Sequence, residues 1–159
     1  MKDNTSNQFV TRSIGLLILR IGFSAYLMTH GWGKLQMILQ GRMDAFSDPI
    51  GIGSAPSLIL VTFAEFVCAL LVLIGLGTRL AAIPIVIAMA VAVFVAHASD
   101  PWTMAEAASL FRSGAAKSWA SKQPALMYLF AFLALIFTGA GKFSIDHLIA
   151  TRRPGRKSR

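Results

Sequence analysis

The chain has 159 residues, of which 55% are hydrophobic and only 14% charged, and its mean hydropathy is +0.64; soluble domains carry about 25% charge, so an ordinary water-soluble domain is excluded. Its net charge of +8 is not laid as a stripe across a polar domain, which argues against a nucleic-acid binder and for a membrane protein with cationic ends. The single cysteine, Cys68, excludes a fold stapled by internal disulfides.

Four apolar stretches approach the roughly 20 residues needed to cross a hydrocarbon core about 30 Å thick. They run over about 13–36, 56–76, 80–98 and 124–141. In lipid the backbone must satisfy its own hydrogen bonds, so each is expected to be a helix. Pro56 and Pro124 suit first turns, where no donor is lost. The first stretch is too long for a cleaved signal peptide, is interrupted by Arg20, and precedes no small-residue cleavage site. The expected fold is therefore all-α, an integral membrane four-helix bundle forming one domain over 13–149. A short N-terminus (1–12) and a basic tail (150–159) flank it.

Lys2, Arg12, Arg79 and the tail "TRRPGRKSR" fall on one side of such a bundle, whereas Arg42, Arg112, Lys117 and Lys122 share the other with Asp44, Asp48, Asp100 and Glu106. The positive-inside rule then puts both termini of this multi-pass protein in the cytoplasm. The longer loops, about 37–55 and 99–123, face outward, and "TMAEAASLFRSGAAKSWA" in the second can form a short interfacial helix.

The first stretch, "LLILRIGFSAYLMTHGWGKLQ", is oily yet carries Arg20, His30 and Lys34. Charges in a bilayer cost several kcal/mol unless they face protein, water or each other. Arg20 lies about 10 Å from the inner end of its helix, and Glu65 of the second stretch about 16 Å from that side. The expected partnership is a structural ion pair between Arg20 and Glu65. His30 and Lys34 lie about 26 and 32 Å along, and His97 of the third helix about 26 Å. Spacings of three, four and seven put Arg20, Leu27, His30 and Lys34 on one inward face. An outer pocket with ligand-binding candidates His30, Lys34, Glu65 and His97 follows; His30, Glu65 and His97 are the candidates for proton chemistry. An inner cluster joins Arg79, Lys142 and Asp146, the last two pairing at i and i+4 if the helix continues.

Each reading has a plainer counterpart. A membrane Arg–Glu pair can be purely architectural, and interfacial histidines can be ordinary amphipathic residues. Two histidines without a third strong ligand give no metal site. Cys68, three residues after Glu65, either faces the same pocket or fills space as a small hydrophobe.

Three motifs in order make the chain resemble the DoxX family of small bacterial membrane proteins, from about Ile14 to Ile149. They are "LRIGFSAYLMTHGWGKL", then "AEFVCALLVLIGLGTRLAA" with Glu65, Gly75, Thr78 and Arg79, then an ending of Gly139, Gly141, Lys142, Ser144 and Asp146. Cys68 stands where the family often has a small residue, and the 41–56 loop carries only part of the family's glycine-rich pattern. The resemblance implies a four-helix membrane bundle associated with redox chemistry, including thiosulfate:quinone oxidoreductase subunits and quinone or catechol stress responses. The first functional reading is a membrane subunit or accessory of a redox pathway, handling a quinone or a small sulfur or aromatic compound in the outer pocket. The chain has no cysteine cluster and no Gly-rich dinucleotide loop, so electrons would come from an oxidoreductase partner or a bound cofactor. The alternatives are a non-enzymatic scaffold for a soluble oxidoreductase and a proton-coupled small-solute carrier, the latter requiring a homo-oligomer.

Overall fold

The computed structural model describes residues 2–152, with side chains from Gln8 onward. From residue 153 the expected basic tail lies outside the described residues. Six helices account for the architecture, and no strand occurs among the described residues. They are α1 (Lys2–Leu39), α2 (Ser54–Ile74), α3 (Thr78–Ala96), α4 (Met104–Arg112), α5 (Gln123–Thr138) and α6 (Ile145–Arg152).

Three of these, Gln8–Leu39 within α1, α2 and α3, are long and apolar enough to cross a membrane. Helix α5 is equally oily but has 16 residues, about 24 Å of helix. It stops at Thr138 because Gly139 and Gly141 both take positive φ (73° and 74°), a conformation L side chains resist. The fourth apolar stretch therefore ends short of its expected limit near Gly141.

The helices bury stripes at helical spacing. Ala82, Ile85, Met89 and Val93 on α3 meet Ala125, Phe132 and Leu135 of α5 in the core. The buried face of α1 is different: Ser13, Arg20, Ser24 and Leu27. A mostly polar stripe turned inward is tolerable on an oily helix only if the bundle supplies partners. The opposite surfaces present Ile18, Leu80, Phe94, Phe130 and Phe137, each more than 60% exposed. Bare aromatic and aliphatic side chains over whole helix faces suit acyl chains and not water.

Helix α2 is interrupted by a π turn at Phe63–Cys68, and α3 ends in one at Ala92–Ala96. Between the two helices the chain reverses tightly. Gly75 (φ +74°) ends α2 with Leu76 N donating to Leu71 O (2.9 Å) and Gly75 N to Val72 O (3.0 Å), the paired bonds of a glycine C-cap. A β-carbon on Gly75 would lie 2.6 Å from Ser144 Cβ and 2.9 Å from Arg20 Cζ, so this turn admits glycine alone.

Candidate functional site

The charged residues separate into two groups along α1. At the end near its start, Arg20 is 1% exposed. Its Nε donates to Val72 O (2.9 Å) and Nη2 to Leu73 O (3.1 Å). Nη1 donates to Ala140 O (2.5 Å) and Phe143 O (3.1 Å). The C-terminal carbonyls of a helix have no intrahelical donors and carry the negative end of its dipole. A planar guanidinium with five donors takes two of them, Val72 and Leu73, together with two carbonyls of the turn that follows α5. The expected Arg20–Glu65 ion pair is accordingly corrected: Arg20 turns to the end of α2, where backbone carbonyls converge, and Glu65 has another partner.

The expected Lys142–Asp146 pair is also absent. The chain is not helical between Thr138 and Ile145, so i, i+4 spacing does not bring the two side chains together. Instead Asp146 Oδ1 accepts from Gly77 N (2.7 Å) and Oδ2 from Thr78 N (3.1 Å), capping α3 from 68 residues away. Its own amide donates to Gly75 O (2.8 Å). Lys142 Nζ lies 5.7 Å from the Phe9 ring centre. The Arg79 guanidinium rests beside Gly139, whose absent β-carbon would sit 3.1 Å from Nε. Arg79, Lys142 and Asp146 thus occupy the same end of the molecule, each serving a different backbone turn or ring.

At the other end the geometry starts from Gly31. A β-carbon there would come within 2.7 Å of the Glu65 backbone carbon, so α1 and α2 touch backbone to backbone at the π turn that holds Glu65. One turn further along α1, Lys34 Nζ meets Glu65 Oε2 at 2.5 Å. Glu65 is buried, and the Lys34 side chain is 23% exposed. On α3, His97 follows directly on the second π turn, and its Nδ1 lies 2.6 Å from Asp100 Oδ2. A carboxylate accepts, so Nδ1 carries the proton of this bond and Nε2 is left for another partner.

Lys34, Glu65 and His97 line one cavity of about 600 Å³. Apart from Ser47 and Ser57, its remaining wall is apolar, from the α2 and α3 segments around both π turns and from Phe46, Pro49 and Ile50 of the α1–α2 loop. Insertions of this kind displace a helix face locally and are frequent at binding sites. The loop is fastened by Asp48, which accepts from Gly51 N (3.0 Å), Ile52 N (3.2 Å), Gly53 N (2.5 Å) and Ser57 Oγ (2.7 Å). The Ser57 hydroxyl first, and the Gly53 amide next, hold the Asp48 carboxyl below its usual pKa.

His30 is not among the residues lining this cavity. It is exposed, with its ring edge-on to Tyr128 at 6.2 Å between centres. Cys68 is buried and absent from this cavity, lying instead on an apolar groove beside it. Two residues went unrecognised in the sequence. Asp100 had a signal, the His-x-x-Asp spacing of "HASD" at the end of an apolar stretch. Lys122 had none; 8% exposed, it donates from Nζ to Ala98 O (2.8 Å) and stacks on Trp102 at 4.5 Å, tying the second loop to the end of α3. No group of three or more His, Cys, Asp or Glu that could hold a metal ion occurs among the described residues.

Apolar outer faces, spans of membrane length and charges turned inward define the class: an all-helical membrane protein. A family model described as DoxX matches residues 15–98, more than half of the chain. The protein belongs to the DoxX family. The match ends before the Gly139–Asp146 segment that also suggested the resemblance. Comparison with curated proteins and with solved structures gives no match.

Proposed function

We propose that this DoxX protein binds a quinone in the cavity of Lys34, Glu65 and His97 and serves a redox pathway as a membrane subunit. In this reading α5 is a fourth crossing, shortened to 16 residues and completed at the membrane surface by the turn at Gly139. Both termini are cytoplasmic, in a bacterial inner membrane, and the cavity opens outward. The observation that carries the proposal is the meeting, in one largely apolar cavity, of the Lys34–Glu65 ion pair with His97, whose Nδ1 is bonded to Asp100.

A quinone needs an apolar slot and donors to two carbonyl oxygens. Lys34 Nζ and a protonated His97 Nε2 supply donors of that kind. Reduction to the quinol takes two electrons and two protons. The electrons come from an oxidoreductase partner, and the protons pass through His97 and the Lys34–Glu65 couple, each of which can be reprotonated from water at the cavity mouth.

The test uses the full chain in detergent and a tailless benzoquinone, followed by quenching of tryptophan fluorescence. Saturable binding is expected, weakened roughly tenfold or more (about 1.4 kcal/mol) in His97→Ala. A folded protein that shows no saturable quenching with any quinone head group would remove the proposal.

A further inference from the structure

Beside the polar cavity lies a second hollow of about 620 Å³ on the seam between α2 and α3. Phe63 and Pro84 line both hollows, so the two are neighbours across one wall. The second runs from that wall toward the Gly75–Gly77 reversal, about 10 Å along α3 from Pro84 to Gly77. Its sides are aliphatic: Leu71, Leu76, Leu80, Ala81 and, from α6, Ile149. Two polar groups touch it, and neither is available. Both carboxylate oxygens of Asp146 already hold the α3 amides, and Cys68 is 2% exposed. The rim is open to the lipid side, with Leu80 75% and Phe63 48% exposed.

Sequence explains the seam. Pro84 inside α3 has no amide hydrogen and a compact ring, and Ala81 and Ala88 flank it with methyl groups, leaving α3 thin where it faces α2. Phe63 begins the π turn, which shifts its ring off the regular helical path.

We propose that this groove holds the apolar tail of the ligand whose polar head occupies the Lys34–Glu65–His97 cavity, making the ligand a lipid-tailed molecule such as an isoprenoid quinone. The inference rests on the quinone reading above and adds the class of molecule and its direction. The head lies among the ionisable residues, and the tail passes Phe63 and Pro84 toward the Arg20 end. A small water-soluble ligand would use the polar cavity and leave the groove idle; a lipid acyl chain alone would use the groove without the polar cavity. Adjacency of the two along the α2–α3 seam, with Phe63 and Pro84 lining both, favours one occupant for both.

The experiment compares two probes with an identical benzoquinone head, one tailless and one with a decyl tail, on the purified full chain with micelle partitioning corrected. A tail moving from detergent into the groove gains packing only, so a preference of roughly fivefold for the tailed probe is expected. Leu80→Trp and Ala150→Trp sit at exposed rim positions and obstruct the groove without disturbing the core. Both are expected to erase the preference while leaving tailless binding unchanged. A diazirine at the tail's end should label the segment 71–84. Tailless binding with no tail preference, or label scattered over the lipid faces of α1 and α5, would overturn the tail assignment alone. Failure of the tailless probe to bind overturns the quinone reading and this one together.

Discussion

The two ends of α1 treat charge differently. At the Arg20 end, ionic side chains bond to backbone: the guanidinium to four carbonyls and the Asp146 carboxylate to two amides. At the Lys34 end Asp48 and Lys122 also hold backbone groups, but beside the cavity side chains bond to one another, Lys34 with Glu65 and His97 with Asp100. Backbone groups cannot move or titrate, so a charge committed to them is architectural. A side-chain couple can change protonation or exchange one partner for a ligand, and here each couple retains unused hydrogen-bonding capacity. Oily membrane proteins keep few charges; in this one the backbone-bound Arg20 and Asp146 lie apart from the side-chain couples beside the cavity.

The largest effect should come from removing the backbone clamp. Arg20→Ala orphans the Leu73, Ala140 and Phe143 carbonyls and leaves Val72 O only its bond from Gly75 N, each orphan costing roughly 1–3 kcal/mol in an apolar setting, against a total stability of about 5–15 kcal/mol. Loss of monodisperse protein on size-exclusion chromatography is expected. Arg20→Lys should recover only part of the yield, because an ammonium cannot span two segments in the fork geometry. Near-normal folding of Arg20→Ala would erase the contrast between the two ends.

Gly31→Ala should follow. The new methyl must push α1 away from the Glu65 backbone, 2.7 Å distant, at about 1–3 kcal/mol for overpacking. Because that contact also sets the reach of Lys34, quinone binding should fall along with melting temperature. The paired loss distinguishes it from Glu65→Gln, where the fold should hold. Lys34 is partly exposed and can find water, and Arg20 has no stake in Glu65. We expect a melting shift of only a few degrees, with a loss of quinone affinity of roughly tenfold, about 1.4 kcal/mol. Equal collapse in Glu65→Gln and Arg20→Ala would mean that both ends are scaffolding.

Much of this was readable from residue order. Hydropathy located the apolar helices, and three-, four- and seven-residue spacing put Arg20 and Lys34 on an inward stripe. The partnerships were not readable, for two reasons. Depth was reckoned as if each apolar stretch began at the membrane surface, but α1 is helical well before Ser13 and beyond Gln36, so its ends do not mark that surface. Carbonyl acceptors also have no sequence signature: the end of α2 and the turn after α5 converge on Arg20 because glycines turn the chain there. Only the contact that Gly31 permits with the Glu65 turn reveals why Lys34 finds that carboxylate. His30 shares the stripe by spacing yet lies exposed against Tyr128, since a helical face of seven-residue period is wider than the cavity it borders.

The smallest effect separates two aspartates that do similar work at opposite ends. Asp146 joins α6 to the start of α3 across 68 residues, whereas Asp48 ties only its own loop, through Gly51–Gly53 and Ser57. Asp48 is held below its usual pKa by the Ser57 hydroxyl and then the Gly53 amide. Its folded value is lower than its unfolded one, so its contribution is complete at neutral pH and above the ordinary carboxylate range. It is lost only as pH falls through the depressed folded value. Hydrogen exchange at the 51–53 amides should therefore stay slow from neutral pH down to the ordinary range of a carboxylate, then rise beyond the intrinsic pH trend. Asp48→Asn should open those amides at neutral pH and speed quinone release from the cavity the loop covers, leaving melting nearly unchanged. Were Asp48→Asn to unfold the protein as Asp146→Asn is expected to, the loop would belong to the scaffold, and the Lys34 end would have no part that moves independently of it.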